Sequence, residues 1–307
     1  MRFNPKARLD TRRVSHRSRG GGGGGGLGGG GTRLPVPGGA AAGGGIGLVV
    51  VVIAFLLLTQ LGGGDTGGGG GSADDGRYEQ CLTGADANES ADCARVAVEN
   101  SLHDYWSETL PEQAGVEFRP QRDLVTFDGS VDTGCGPATS ATGPFYCPAD
   151  RTIYLDTTFF DEVLDRQLGG GDGDFVEPYV LAHEMGHHLQ NLTGALGRVR
   201  TQQGPESDAV RLELQADCYA GMWAGAASST DDAGGEPLFT ELTREDIEEA
   251  VGAAKAVGDD RIQQRSGGRV DPDGWTHGSS EQRVRWFLVG YENGSFEDCD
   301  TFAASSL

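Results

Sequence analysis

An uncharged segment over residues 40–61 lies between two glycine-rich blocks and divides the chain of 307 residues into unequal parts. The blocks, Gly20–Gly31 and Gly62–Gly71, bury no apolar surface and keep a free backbone, which is typical of linkers. The segment is long enough to cross a bilayer as a helix, which takes about 20 residues. Glycine on both sides offers a core helix nothing to pack against, so the pattern predicts a membrane-spanning anchor.

Charge is distributed unevenly across this segment. Residues 1–61 hold eight basic residues and one acidic residue, Asp10, whereas the whole chain has a net charge of -22. The positive-inside rule therefore predicts a single-pass protein of the cell membrane, with residues 1–39 in the cytoplasm and residues 62–307 outside. A cleaved signal peptide is the alternative, but the basic region is long and no small-residue cleavage site follows closely.

The chain is thus predicted to have four parts. They are a basic, glycine-rich cytoplasmic tail (1–39), a transmembrane anchor (40–61), a glycine-rich linker (62–77) and an extracytoplasmic domain (78–307). The domain's length suffices for one sizeable core. Its acidic excess argues against nucleic acid as a partner, because phosphate binding needs a basic face. The sequence does not indicate an oligomeric state.

Six cysteines agree with export, since disulfides persist in oxidising compartments. None lies in a C-x-x-C pair, which argues against a cysteine zinc site or a thioredoxin motif. Six cysteines allow 15 pairings, and the sequence alone does not choose among them. Their spacing suggests two short loops and one long one: Cys81–Cys93, Cys135–Cys147 and Cys218–Cys299.

Apolar periodicity and capping residues predict a mostly helical α+β domain with a small sheet. Thr152–Asp156 alternates like a strand, and residues 134–148 look like a loop. Capping boxes are predicted at Asp174 with Glu177 and at Ser279 with Gln282. The predicted helices are Ala91–Leu110, ended by Pro111, then Thr158–Leu168, Asp174–Leu192, Ser207–Ala227, Thr243–Val257 and Ser279–Tyr291.

The chemistry of the chain is indicated by H-E-x-x-H, formed by His183, Glu184 and His187. On a helix, residues four apart share a face, so two imidazoles there can take adjacent corners of a zinc tetrahedron. Glu184 would lie beside the metal without ligating it, which suits a general base for a zinc-bound water. Coincidental histidines on a core helix are the alternative, but three of the six histidines fall within six residues.

A catalytic zinc needs a third protein ligand, and the helix predicted over 207–227 offers two carboxylates for it. A third histidine ligand in the same motif is excluded, because that position holds Thr193. Glu213 and Asp217 are four apart and can both face the histidines. One would ligate zinc while the other hydrogen-bonds a ligand imidazole. An exposed acidic helix face is the alternative, which the apolar residues around them disfavour.

Three blocks of the sequence together resemble the bacterial neutral zinc metallopeptidase family. They read H-E-M-G-H-H-L-Q, R-L-E-L-Q-A-D-C-Y-A-G and T-H-G-S-S-E-Q-R-V-R-W-F, with Gly143–Asp150 and Tyr154–Asp156 in support. The resemblance covers about residues 78–304 and implies a membrane anchor, a zincin-like domain and one Zn²⁺ per chain. The second block is also similar to that of prenyl-protein proteases, which implies Glu213 as the zinc ligand and Asp217 as the imidazole's partner.

The predicted reaction is hydrolysis of peptide bonds by a zinc-activated water, with Glu184 as general base. His277, just ahead of a predicted helix, is a candidate donor to the oxyanion, although a turn or cap histidine is the alternative. Tyr154 is a weaker candidate. Its strand, Thr152–Asp156, would pair with extended substrate by β-augmentation, or serve only as sheet structure.

Three functions fit these residues. The first is a membrane-anchored zinc endopeptidase that faces outward and takes a peptide or protein substrate, with the membrane contacted through 40–61. The second keeps zinc but acts as an amidase on cell-wall peptides. The third is a non-enzymatic envelope scaffold that retains zinc for stability. The three blocks favour the first.

Overall fold

The computed structural model describes residues 1–17, 76–171, 173–232 and 234–307. The fold is α+β, as predicted. The predicted anchor at 40–61 lies outside the described residues, as do most of the predicted tail and linker. Within the described ranges, no helix is both long and apolar enough to cross a bilayer.

Strands form three small sheets in the described residues. The largest has the order β2-β3-β7-β6, with β2, β3 and β7 parallel and β6 antiparallel to β7. Antiparallel pairs β1-β8 and β4-β5 make the other two. The strands are β1 (Arg2–Phe3), β2 (Val14–Arg17), β3 (Asp123–Phe127), β4 (Ser130–Thr133), β5 (Gly136–Thr139), β6 (Phe145–Cys147), β7 (Thr152–Asp156) and β8 (Phe239–Glu241).

Helices make up most of the remaining regular structure. They are α1 (Gly84–Ala87), α2 (Ala91–Ala114), α3 (Val176–Thr193), α4 (Asp208–Ala226), α5 (Arg244–Ala256), α6 (Asp259–Arg265) and α7 (Ser280–Asn293). Short 3-10 turns cover Ser140–Thr142, Ala195–Arg198 and Pro272–Gly274, and a π-helical segment covers Phe160–Leu168. The main core packs between α2, α3, α4, α7 and the sheet, with buried rings such as those of Trp106, Trp223 and Phe287.

Side-chain caps begin three helices, and the capping box predicted for Ser279 with Gln282 is confirmed among them. Ser207 accepts from the Val210 amide at the start of α4, and Thr243 caps α5. Ser279 and Gln282 form a capping box at α7. Each cap satisfies backbone donors that the first turn of a helix leaves without partners.

Two helix boundaries were predicted incorrectly. α2 continues through Pro111 to Ala114, because a proline near the end removes one backbone donor while the preceding residues stay anchored in the core. α3 has no capping box at Asp174: it begins at Val176 without a side-chain cap. Glu177, the predicted partner in that box, instead pairs with the largely buried Arg95.

The structure adds elements that the sequence pattern did not indicate. α6 was not predicted, and the predicted loop over 134–148 contains β5 and β6. The strand predicted at Thr152–Asp156 is confirmed as β7. All three suggested disulfides form: Cys81–Cys93, Cys135–Cys147 and Cys218–Cys299.

Helices α3 and α4 pack unusually closely where Gly186 faces Ala216. A Cβ atom at position 186 would lie 2.9 Å from the Ala216 Cα atom, closer than side chains tolerate. Gly186 lies between Glu184 and His187 in the H-E-x-x-H motif. Its missing side chain therefore lets α4 approach the face of α3 that carries the histidines.

The N-terminal segment, residues 1–17, is part of this domain, which differs from the predicted boundary at residue 78. β1 pairs with β8, and β2 lies at the edge of the largest sheet beside β3. Further backbone bonds run from Asn4 to Leu238 and from Leu9 to Leu82, at 2.8 and 3.0 Å. The predicted tail thus contributes two strands to the fold.

A buried ionic cluster holds this segment to α2. Glu99 is 2% exposed, and its carboxylate accepts from Arg13 Nε at 2.7 Å and Nη2 at 3.3 Å. Asn100 and Gln121 donate to the same carboxylate at 2.8 and 2.7 Å. Arg13 is the cation that compensates a charge taken out of water.

We predict that Arg13→Met lowers the free energy of unfolding by about 3 kcal/mol, since it leaves the buried Glu99 carboxylate without its cation. The matched control is Arg12→Met. Arg12 pairs with Asp10 but its side chain is 84% exposed, so this change should cost less than about 1 kcal/mol. Urea unfolding of the full chain with intact disulfides measures both. Equal losses would show that the segment is not anchored through Glu99.

Candidate metal centre

Three buried side chains from two helices converge on one point. His183 and His187 come from α3 and Glu213 comes from α4. Glu213 Oε2 lies 3.2 Å from His183 Nε2, and its Oε1 lies 3.4 Å from His187 Nε2. Among the described residues, these three form the single group of His, Cys, Asp or Glu side chains close enough to hold a metal ion.

The donor set and spacing fit zinc. Two imidazole nitrogens and one carboxylate oxygen are typical of catalytic zinc sites, which keep the fourth position open. Ligands about 2.0–2.1 Å from a tetrahedral ion lie about 3.3–3.4 Å from one another. The observed 3.2 and 3.4 Å separations match that edge length. The predicted ligand trio is therefore brought together with a geometry that zinc can occupy.

Hydrogen bonds at the far side of each ring orient the two imidazoles. His183 Nδ1 lies 2.9 Å from Asp217 Oδ1, and His187 Nδ1 lies 2.8 Å from Gln190 Oε1. Since an oxygen acceptor faces each Nδ1, a proton belongs there, and Nε2 is the nitrogen left to ligate a metal beside Glu213. Asp217 thus has its predicted contact. Gln190, which the motif did not indicate, is the acceptor for His187.

Asp217 is the centre of a buried network that joins three helices. Its carboxylate is fully buried and accepts from Tyr179 Oη at 2.6 Å. Arg283 of α7 donates to it from Nε at 2.8 Å and from Nη2 at 2.9 Å. Neither Tyr179 nor Arg283 was predicted. Tyr179 precedes His183 by one helical turn, and Arg283 lies within the third sequence block, so both carried a recognisable signal.

The electrostatics of the site attract positive charge. Burial alone lowers the pKa of His183, but the charge and hydrogen bond of Asp217 outweigh it and raise that pKa. A bound zinc ion would take the place of the proton on Nε2. Burial raises the pKa of Glu213, yet the nearby imidazoles, His187 first, hold it below its ordinary value. A cation placed between these groups is therefore favoured.

Glu184 lies beside the ligands and is 6% exposed. Burial raises the pKa of its carboxyl group, although the charges of His187 and His183 and the backbone N–H of Tyr146 oppose that shift. Tyr146 belongs to β6, which pairs with β7 alone among the described strands. The outer edge of β6 therefore faces α3, which carries the two histidines.

Tyr154 and its strand do not take the predicted place. β7 is hydrogen-bonded to β3 on one side and to β6 on the other, so it has no free edge for a substrate. Tyr154 is buried, donates from its hydroxyl to Asp150 at 2.7 Å and stacks on Phe145. The free edge beside the site belongs to β6, which lies in the predicted loop.

His277 reaches the same cavity from the turn before α7. Its Nδ1 lies 2.9 Å from Thr276 Oγ1 and 3.4 Å from Asp259 Oδ1. Asp259 Oδ2 also accepts backbone N–H groups from Thr276, His277 and Gly278 at 2.7, 2.7 and 3.1 Å. This carboxylate, at the start of the unpredicted α6, shapes the turn and leaves His277 Nε2 available to the cavity.

His188, the third histidine of the motif region, has a structural place. Its Nε2 donates to the Arg119 carbonyl at 2.7 Å, and its Nδ1 accepts from Tyr146 Oη at 3.0 Å. Burial lowers its pKa to about 4, so the ring is neutral at physiological pH. His188 therefore links α3 to β6 on the side away from the ligands.

A cavity of about 90 Å³ opens onto the ligands and brings the candidate residues together. Glu184 and His277 line it, and its apolar wall consists of Pro144, Phe159, Val180 and Val257. A larger cavity, about 390 Å³, lies at the starts of α2 and α3, but none of the three candidate metal ligands lines it. Arg95 and Glu177, which line it, form an ion pair with each other. The smaller cavity is therefore the candidate site.

Comparison with known proteins gives concordant matches. A profile of the family described as "Putative neutral zinc metallopeptidase" matches residues 3–302. "Uncharacterized protein Rv2575" of Mycobacterium tuberculosis is 52% identical over 230 residues, which cover 74% of this chain and 76% of the relative. "Uncharacterized protein YpfJ" of Escherichia coli K12 is 44% identical over 211 residues, covering 67% and 69%. No solved structure matches.

We predict that Glu213→Gln weakens zinc binding by more than about 100-fold, because it removes a ligand, and that Asp217→Asn weakens it by about 10- to 100-fold. Glu184→Gln is the matched control and should bind zinc like the wild type. Competition with a chromophoric chelator measures each affinity. Unchanged binding in Glu213→Gln would contradict the ligand assignment.

Proposed function

We propose, from the premise that the chain belongs to the family described as "Putative neutral zinc metallopeptidase", that it hydrolyses peptide bonds in a zinc-dependent reaction. One observation carries the proposal. The ligand trio faces a cavity that also contains a carboxylate, Glu184, and an imidazole, His277, neither of which belongs to the trio. A purely structural zinc site is closed by four protein ligands, whereas this one has three.

Glu184 supplies proton transfer in the proposed reaction. A zinc ion held by the trio contributes a Lewis acid that lowers the pKa of water and polarises a carbonyl group. Glu184 accepts the proton of the attacking water and passes it to the departing amine nitrogen. Its place one residue after His183 keeps it against the ligands, and the backbone N–H of Tyr146 lowers its pKa and so favours the ionised form.

His277 stabilises the oxyanion that develops on the scissile carbonyl. Nδ1 contacts Thr276 Oγ1 and pairs with Asp259, so in the charged ring Nε2–H is the group that can donate into the cavity. Burial opposes a charge on this ring, but Asp259 and Glu213 raise its pKa. A donor fixed before the reaction begins needs no reorganisation as the charge forms.

The substrate lies along the outer edge of β6. This edge replaces the predicted Thr152–Asp156, because it is the strand edge that borders the cavity. An extended peptide there gains backbone hydrogen bonds by β-augmentation. Phe159, Val180 and Val257 offer an apolar surface to one substrate side chain next to the scissile bond.

We predict that Glu184→Gln lowers kcat for peptide hydrolysis by about 10²- to 10⁴-fold, because a positioned general base contributes that much. Zinc content should stay at one ion per chain. The measurement uses the purified full chain with casein and with a quenched fluorescent peptide library, beside an exposed control, Glu108→Gln.

The same assay separates the alternatives. Cleavage of cell-wall peptides without cleavage of proteins would favour the amidase. The third outcome is a wild-type protein that binds zinc but hydrolyses neither substrate faster than Glu184→Gln does. That result would support the scaffold function and overturn the peptidase function.

We predict that His277→Ala lowers kcat by about 10²- to 10³-fold, the usual effect of removing one oxyanion donor. Zinc affinity and KM should change little, because His277 is outside the ligand trio. His103→Ala is the control, since His103 lies on α2 away from the cavity. A loss of zinc in His277→Ala would contradict the donor role.

A further inference from the structure

The N-terminal segment, residues 1–17, packs as a structural part of the domain that carries the metal site. We infer that residues 1–17 and that domain lie on the same side of any membrane the chain meets. The inference rests on the fold and is independent of the proposed zinc chemistry.

Strand pairing is the first support. β2 runs parallel to β3 in continuous register, from Val14 beside Leu124 to Arg17 beside Phe127. Side chains reinforce the pairing: Ser15 Oγ donates to Asp123 at 2.6 Å, and His16 Nδ1 lies 3.0 Å from Thr126 Oγ1. β2 thus covers an edge of β3 that would otherwise present unpaired backbone groups.

Buried charge is the second support. The Glu99 carboxylate has Arg13 as its cation, and withdrawing the segment would leave that carboxylate buried without one. Next to it, the Asp10 amide donates to Asn100 Oδ1 at 2.6 Å and the Asp10 carbonyl accepts from Asn100 Nδ2 at 2.9 Å. The polar groups of α2 are therefore arranged to receive this segment.

Close packing is the third support. The Gly84 amide donates to the Ala7 carbonyl at 2.9 Å. A Cβ atom at position 84 would lie 1.9 Å from the Asn4 carbonyl oxygen, so the two backbones are in direct contact. Phe3 and Ala7 are 2% and 1% exposed. The segment therefore belongs to the core of the domain.

A single crossing at 40–61 cannot coexist with these contacts. It would separate residues 1–39 from residues 62–307 by a hydrocarbon layer of about 30 Å, whereas paired strands lie about 4.8 Å apart. If residues 1–17 and the domain share one side, a chain that crosses a bilayer between them has to cross back, and the sequence there has one apolar run of sufficient length. The inference therefore argues against the predicted orientation, with a cytoplasmic N-terminus and an external domain.

The disulfide bonds indicate on which side of a membrane the two parts lie. Three disulfides, Cys81–Cys93, Cys135–Cys147 and Cys218–Cys299, tie the domain together. Such bonds form and persist in oxidising compartments. Residues 1–17 accordingly lie outside the cytoplasm together with the domain.

Cysteine labelling of the full chain in intact cells tests the inference. The six native cysteines are all in disulfides, so one added thiol reports one position. Arg12→Cys reports the segment and Leu82→Cys reports the domain, because their native side chains are well exposed. A membrane-impermeant maleimide should label both variants equally before permeabilisation. Labelling of Leu82→Cys alone, with Arg12→Cys reacting only after permeabilisation, would overturn the inference.

A second pair of cysteine variants gives an independent result if either of the first two fails to fold. Lys6→Cys and Glu108→Cys lie at other exposed positions of the segment and the domain. Equal labelling of this pair supports the inference, and labelling of Glu108→Cys alone overturns it. Labelling reports location only, so its outcome is separate from that of the Glu184→Gln assay.

Discussion

The fully buried carboxylate of Asp217 is the charge on which the metal centre depends. It lies on α4 and accepts hydrogen bonds from Tyr179 and His183 of α3 and from Arg283 of α7. Removing a carboxylate from water costs several kcal/mol, so burying it requires all these donors together. The same charge that joins three helices thus sets the direction in which His183, a candidate zinc ligand, presents its Nε2.

The ligands could be predicted from the sequence because each pair is local. His183 and His187 share a helix face, as do Glu213 and Asp217, and the four-residue spacing alone establishes this. How the two helices approach is not local. It depends on Gly186 meeting Ala216, and on Arg283, which lies 66 residues from Asp217 along the chain.

The edges of the strands, unlike the faces of the helices, could not be predicted from local sequence. Alternation identified Thr152–Asp156 as a strand, but a pattern of faces does not say which edges are occupied, and β7 proved to be internal. The N-terminal residues look like a basic tail for a related reason. From the sequence alone, Arg13 looks like a surface charge. Its partner, Glu99, is 86 residues away and comes next to it only in the folded chain. Long-range pairing, rather than local pattern, decided both outcomes.

The Cys218–Cys299 bridge bears on when the centre becomes complete. It fastens the residue after Asp217 to the end of the chain, and Arg211 of the same helix donates to the carbonyls of Thr301 and Ala304. A nascent polypeptide that stops before Arg283 has both histidines and Glu213 but no cation for Asp217. The carboxylate that orients His183 is therefore compensated only once the last described helix, α7, has folded against α4.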